Sequence, residues 1–349
     1  MTPPRFSELA SKYAALRIAV VGDFCLDRYL EIDPAKAEVS LETGLPVHNV
    51  VNVRAQPGGA GTIVNNLAAL GVGTIYPIGF AGEDGEGLEL WRALEQRPGV
   101  RLTHFVRTSD RCTFTYCKPL VMTPHKPPEE LNRLDFKNWT PTPAPLRQLL
   151  TSRILSAARS VDAMVVLEQA DVPETGVVTP ETLESLRSFA KSEPGVFILA
   201  DSRRGLRGFP PVGFKMNAAE LAALVGAKSG LSLAEIKDAA LGLARRNGRS
   251  VFVTLSERGI LGATAGGAVA HLPALPVRGP IDIVGAGDAV TANLAAAVAA
   301  GATLGESLEI ANAAASVVVH KLGTTGTANT VEIQELLPAA WRNQPTGER

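Results

Sequence analysis

Apolar runs of strand length alternate with helix-period segments along most of the chain. The runs starting at Arg17 (RIAVVG), Gly73 (GTIYPIG), Asp162 (DAMVVL), Gly195 (GVFILA), Gly213 (GFKMN) and Ser250 (SVFVTL) are continuous in apolar residues rather than alternating. Such runs mark strands buried on both faces. Between them, residues 61–70, 87–95, 145–158, 179–191 and 233–246 read as helices, so the expected fold is α/β, a mainly parallel sheet between two helical layers. Two regions break the rhythm. Residues 29–53 and 101–134 are β-branched and alternating with no helix between, which predicts a small antiparallel sheet projecting from the main one. The expected division is therefore a core of 1–28, 54–100 and 135–337, a β lid of 29–53 and 101–134, and a flexible tail over 338–349. Proline-rich loops are expected at MTPHKPPEELN and NWTPTPAPL, and no internal repeat is present,.

Composition narrows the class. A chain of 349 residues, 46% hydrophobic with a formal net charge of −1, is large enough for one sizeable core. No basic block stands out, so neither nucleic acid nor a membrane surface is an expected partner. Three cysteines (Cys25, Cys112 and Cys117) make no disulfide framework, and the five histidines show no metal-ligand spacing,. The N-terminal apolar stretch is cut by Asp23, so no signal peptide or transmembrane helix is expected and cytoplasmic residence is the default.

Candidate chemistry concentrates in two glycine-rich segments. DIVGAGDAV, Asp282 to Val290, precedes an alanine-rich stretch closed by Gly301, as if a strand handed over to a long helix. The amides of Gly285, Ala286, Gly287 and Asp288 would then point unpaired from the positive end of that helix, a natural seat for a phosphate. A carboxylate there suits a base that takes a proton from an attacking hydroxyl, the role open to Asp288. The plain alternative is an aspartate complementing a helix dipole. PGGAGTIVNNLAALG, Pro57 to Gly71, places Gly58 and Gly59 before a helix that carries Asn65 and Asn66, again either a ligand approach or a packing turn. Asp23 and Asp27 follow the first strand, where an open parallel sheet faces its ligands, and could accept hydrogen bonds from sugar hydroxyls.

These blocks resemble the PfkB/ribokinase family of carbohydrate kinases from about Ile18 to Leu337. DIVGAGDAV is similar to its C-terminal signature and PGGAG to its N-terminal one. Within the family, VGDFCLDRY, VSLETGLPV, RLDF and ANAAASVVVHKLGT are similar to the kinase half of heptose 7-phosphate kinase/adenylyltransferase enzymes. The resemblance implies a ribokinase-like fold and ATP-dependent phosphorylation of a sugar or sugar phosphate, with Asp288 as base and Gly285, Ala286 and Gly287 as anion hole. It implies sugar contacts from Asp27, Gly58, Gly59 and Asn66. Asn217 and Glu220 match an N-x-x-E motif associated with Mg²⁺ and phosphate, although Asn followed by Glu at this spacing is also a capping box. Thr254, Ser256, Gly259 and Asn312 are similar to nucleotide-side positions. Asp282, Gly323 and Thr327 resemble positions around a K⁺-type monovalent-cation site. Lys118, Arg133 and the Arg203-Arg204 pair are candidates for a substrate phosphate.

Some positions depart from the family pattern. Ile283-Val284 removes a usual hydroxyl, Thr62 stands where asparagine is usual, and Tyr116 and Lys118 replace an expected lysine and arginine. No HxGH nucleotidyl-transfer motif is present, so a stand-alone kinase is expected, paired as a homodimer through apolar lid edges. A free-sugar kinase of the fructokinase or ribokinase type, and a non-catalytic sugar-binding relative, are the alternatives. A dinucleotide oxidoreductase fits poorly because GAGDAV lacks the third glycine, and GxxxxGK[ST] is absent.

Overall fold

The structure, a computed structural model, describes residues 1–228 and 230–342. Its main sheet has eight strands: β1 (Arg17–Gly22), β6 (Thr74–Ile78), β12 (Ala163–Glu168), β13 (Phe197–Ser202), β14 (Gly213–Asn217), β15 (Val251–Thr254), β16 (Ile260–Ala263) and β17 (Val269–Leu272). The order is β17-β16-β15-β14-β13-β12-β1-β6. Six strands run parallel, and β16 and β17 close one edge antiparallel.

Both faces of the sheet are covered, and alternation along single strands shows how. Ile18 and Val20 of β1 pack in one core with α2 (Ala60–Ala69), α8 (Ala286–Ala299) and α9 (Leu304–Val318). Ala19 and Val21 face the opposite core with α4 (Ala144–Ala158), α5 (Pro180–Ser192) and α7 (Leu233–Asn247). A strand apolar at every position is what two such cores require. The architecture is thus a three-layer α/β/α sandwich with a second, smaller sheet.

That second sheet is mixed rather than antiparallel. Its central strand β2 (Phe24–Ile32) pairs antiparallel with β5 (Val50–Gly59) but parallel with β9 (Phe114–Val121), which also takes the short β10 (Glu129–Glu130) and β11 (Leu134–Phe136). The two-residue β3 (Glu38–Val39) and β4 (Pro46–Val47) form a hairpin at its tip. Its strands begin at Phe24 and Phe114, inside what the expected division gave to the core at one end and later than its 101 boundary at the other. Residues 101–113 instead return along the core. There β8 (Val106–Thr108) pairs with β7 (Phe80–Gly82), and Phe105 stacks edge-on against Phe24 with ring centroids 5.0 Å apart.

Two further expectations are corrected. No strand runs directly into α8; residues 273–284, between β17 and α8, run irregularly, because Pro273, Pro276 and Pro280 lack the N–H groups a ladder needs,. The expected tail from 338 is helical to Arg342 in α10 (Thr330–Arg342), and residues 343–349 lie outside the described residues. Helices α1 (Pro3–Ser11), α3 (Gly85–Glu95) and α6 (Ala218–Val225) complete the layers.

Candidate active site

The N-terminus of α8 is the centre of the site. Gly285 is its N-cap with φ 82°, a left-handed conformation natural to glycine,. The Ala286 amide is not available as expected, since it donates to Ile283 O at 3.2 Å. The N–H groups of Gly287 and Asp288, second and third in the helix, have no carbonyl a turn earlier to bind. They meet two cavities. One, of about 430 Å³, is lined by Ala286 and Gly287 together with Thr254, Ser256, Gly259 and Asn312. The other, of about 400 Å³, is lined by Gly285 and Asp288 together with Asp27, Tyr116, Lys118 and Arg133. One helix end therefore separates two chambers, which the resemblance to carbohydrate kinases would make a donor chamber and an acceptor chamber.

The surroundings of Asp288 shift its carboxyl toward neutrality. Burial raises its carboxyl from 3.8 to about 7; nearby Lys215 opposes the rise, and Asp201 and Asp27 add to it. A carboxyl that changes charge near neutrality is matched to moving a proton at physiological pH. Lys215, inside β14, pairs with Asp201 at the end of β13 at 2.7 Å, and both are buried. Burial opposes the ammonium, but Asp201, joined by Asp288 and Glu220, holds Lys215 above its ordinary value. Thr291 of α8 donates to the same Asp201 oxygen at 3.1 Å, which locks helix and sheet together. The Lys215 ammonium lies 3.1 Å from where a Cβ on Gly287 would stand, so a fixed cation faces the open amides. Sequence reasoning did not single out this pair. The one signal was a lysine interrupting the apolar run GFKMN, rare unless the charge is partnered.

The acceptor chamber holds only part of the expected set. Asp27 faces it and lies 3.6 Å from Lys118 Nζ; burial raises its carboxyl against the pull of Lys118. Gly59 lines it, whereas Gly58 sits behind Asp27, where a Cβ would stand 2.5 Å from Asp27 Oδ2. Asp23 is not a sugar contact. Its buried carboxylate accepts the backbone N–H groups of Gln169 and Ala170 at 2.8 Å and of Val177 at 2.7 Å, fixing the loop after β12. Asn66 is also withdrawn: fully buried, it donates to Thr62 O at 3.0 Å and accepts Ala328 N–H at 3.4 Å. Arg133 lies over the Tyr116 ring at 5.0 Å, held by Asp135 at 2.7 Å. The Arg203-Arg204 pair divides. Arg203 lines the chamber beside Asp171 at 3.3 Å, while Arg204 turns away to the buried Glu168 at 2.8 Å. Cys25, Gln169, Glu130 and Thr325 line the chamber too and were not foreseen as contacts.

Asn217 and Glu220 line neither chamber; β14 and β15 place Asn217 beside Thr254, which lines the donor chamber. Asn217 and Glu220 form a complete capping box at the start of α6, with bonds of 2.9 and 2.7 Å. That uses Glu220 Oε2 and leaves Oε1 for a hydrated divalent ion, a contact Mg²⁺ accepts readily because it keeps most of its water. Glu220 thus fits Mg²⁺ only in combination with substrate phosphates; among the described residues no cluster of three acidic, His or Cys side chains could hold a metal. Ser256 has φ 53° and Gly259 φ 91° in the turn lining the chamber. Asn312 reaches the opposite wall, where its amide donates to Pro273 O at 2.8 Å.

The three positions assigned to a monovalent cation make contacts within the chain. Gly323 O faces the Arg54 guanidinium, Thr327 O accepts from Lys321 Nζ at 2.6 Å, and Asp282 caps Val284 N–H at 3.0 Å.

Residues 213–331, which include β14, the capping box and the start of α8, match the pfkB family carbohydrate kinase model. The bifunctional protein HldE of Shewanella sp. (strain W3-18-1) is 32% identical over 329 residues, covering 92% of this chain and 63% of that protein. HldE of Granulibacter bethesdensis is 29% identical, covering 96% and 68%. The chain thus spans less than two thirds of the length of the Shewanella relative. Among solved structures, Arabidopsis thaliana ribokinase complexed with ribose and ATP aligns with TM-score 0.64 at 19% identity, covering 92% of this chain and 98% of that one. Escherichia coli phosphofructokinase-2 in complex with potassium aligns with TM-score 0.68 at 20% identity, covering 94% and 100%. The family match over residues 213–331, the relatives along nearly the whole sequence and the shared fold agree in direction: the chain is similar to pfkB family carbohydrate kinases.

Proposed function

We propose that this chain is a pfkB-type carbohydrate kinase that transfers the γ-phosphoryl group of ATP to the anomeric hydroxyl of a heptose 7-phosphate-like sugar phosphate. The observation that carries the reading is the division at the start of α8, with Gly287 facing one cavity and Asp288 the other. ATP occupies the donor chamber between Thr254, Ser256 and Asn312. The sugar occupies the acceptor chamber, oriented by Asp27. Asp288 takes the hydroxyl proton as that oxygen attacks the γ-phosphorus, and the bond from phosphorus to the bridging oxygen breaks to release ADP. The Gly287 and Asp288 amides and the Lys215 ammonium stabilise negative charge gathering on the transferring group. Mg²⁺, when bound with ATP beside Glu220, neutralises phosphate charge.

The phosphorylated acceptor is favoured by three cations, Lys118, Arg133 and Arg203, around a chamber that hydroxyls alone would not require,. A free-sugar kinase is the second reading, favoured by Asp135 and Asp171, which already neutralise Arg133 and Arg203. The second sheet, β2, β5, β9, β10 and β11, serves as a lid that excludes water from the acceptor chamber,. Val39, Leu41 and Leu45 on its tip are exposed, which supports a homodimer through this surface. Three free cysteines and no described helix able to cross a membrane are consistent with cytoplasmic residence. The test is coupled ADP release. Heptose 7-phosphate should show far higher kcat/KM than the unphosphorylated sugar, and Arg133→Ala should erode the preference. Equal rates would leave a sugar kinase and remove the heptose reading.

A further inference from the structure

Residues 273–284 make one wall of the donor chamber without belonging to a helix or a sheet. Leu275, Val277, Ile281 and Ile283 line that chamber, and the last three remain exposed. With three prolines the stretch has few N–H groups of its own to bind with, so its place is set from outside. The C-terminal half of α9 does this. Asn312 donates to Pro273 O at 2.8 Å, Asp282 N–H donates to Val319 O at 2.7 Å, and Arg278 N–H donates to His320 Nε2 at 2.9 Å. Asn312, Val319 and His320 also line the chamber. One end of a helix therefore both borders the chamber and grips its opposite wall.

His320 is fitted to this task by the way α9 ends. Val319 N–H reaches Ala315 O at 3.0 Å, but His320 N–H reaches Val317 O at 3.3 Å and Lys321 N–H reaches Val318 O at 2.9 Å. The tightened turn skips the Ser316 carbonyl, one of the acceptors that a helix end leaves over. His320 Nδ1 meets that carbonyl at 2.6 Å, and Arg278 Nη2 lies 3.4 Å from it. A carbonyl only accepts and a backbone N–H only donates, so the ring carries its proton on Nδ1 and turns the Nε2 lone pair to Arg278. Both ring nitrogens are thus used within the chain.

We infer that His320 is a positioning residue for the nucleotide, clamping residues 277–283 through the Arg278 N–H at the distance from α9 that the donor chamber requires. Its nucleotide part rests on the reading that ATP occupies this chamber, whereas hydrogen exchange of the ligand-free protein does not. His320→Asn can keep the bond to Ser316 O alone, while His320→Gln places a carbonyl oxygen where Nε2 stands. Followed by mass spectrometry, the 277–284 segment should exchange on the order of tenfold faster in His320→Ala and His320→Asn, and near the wild-type rate in His320→Gln. The calorimetric Kd for MgATP should rise on the order of tenfold in the first two, with kcat and the sugar KM held, and recover in His320→Gln. Wild-type exchange in His320→Ala overturns the inference, as does faster exchange with MgATP affinity unchanged. If His320→Ala does not fold, the Asn and Gln variants decide by the same two measurements. A wild-type long-range proton–nitrogen NMR spectrum with the His320 proton on Nε2 overturns it without any variant. If MgATP does not bind the wild type, the ATP reading of the chamber falls, while the exchange comparison still tests the clamp.

Discussion

Replacing Asp288 by Asn removes the charge and the proton acceptor while keeping the side chain's size. If Asp288 is the base, kcat should fall by roughly two to four powers of ten while ATP binding persists. A second consequence follows from the carboxyl's shift from 3.8 to about 7. At about 1.4 kcal/mol per pH unit, holding the ionised group in the folded protein costs roughly 4 kcal/mol. Asp288 keeps some contact with solvent, so the observable part is on the order of 1–3 kcal/mol. The folded-state value lies above the unfolded one, so below both values the cost is absent. It grows as pH rises from about 4 to about 7 and is fully present above that. Asp288→Asn should therefore be more stable than wild type at about pH 8 and equally stable below about pH 4. Denaturant unfolding at several pH values, with ADP-release rates on the same samples, measures both effects. Wild-type kcat/KM should rise with pH through a limb near 7. Near-normal turnover in the Asn protein, or a stability difference independent of pH, would refute the assignment.

Other substitutions probe the surroundings. Gly287→Val sets a branched side chain beside the Lys215 ammonium and over the open amides, so turnover should be lost while circular dichroism stays native; an active variant would place the phosphate elsewhere. Asp23→Ala strands three loop amides and should destabilise the protein by about 3 kcal/mol in urea, since one unmet buried donor costs about 1–3 kcal/mol. A loss below 1 kcal/mol would mean the loop does not depend on it. Leu41→Asp on the lid tip should give monomers in light scattering at micromolar concentration, and a wild-type monomer would remove the dimer.

The parallel strands were legible because burial on both faces leaves an unbroken apolar run, as in RIAVVG and DAMVVL. The edge strands β16 and β17 were not, because ILGA and VAHL are short and lie in a glycine-rich stretch that reads as loop. The start of α8 could be read from its glycines and alanines, a local signal. What Asp23 and Asn66 do could not, because the Asp23 partners lie some 146–154 residues away and Asn66 meets Ala328 only through the folded core. A carboxylate after a first strand looks the same whether it faces a ligand or a distant loop. The Lys215–Asp201 pair was hidden for the same reason, its members being on separate strands.

The central claim is phosphoryl transfer to the anomeric oxygen of a phosphorylated sugar, and phosphorus NMR of the product reads it directly. Incubation with Mg²⁺, ATP and heptose 7-phosphate should yield ADP and one new phosphomonoester resonance coupled to the anomeric proton, with the original phosphate unchanged. No new resonance, or one coupled to a proton at another carbon, would contradict the account.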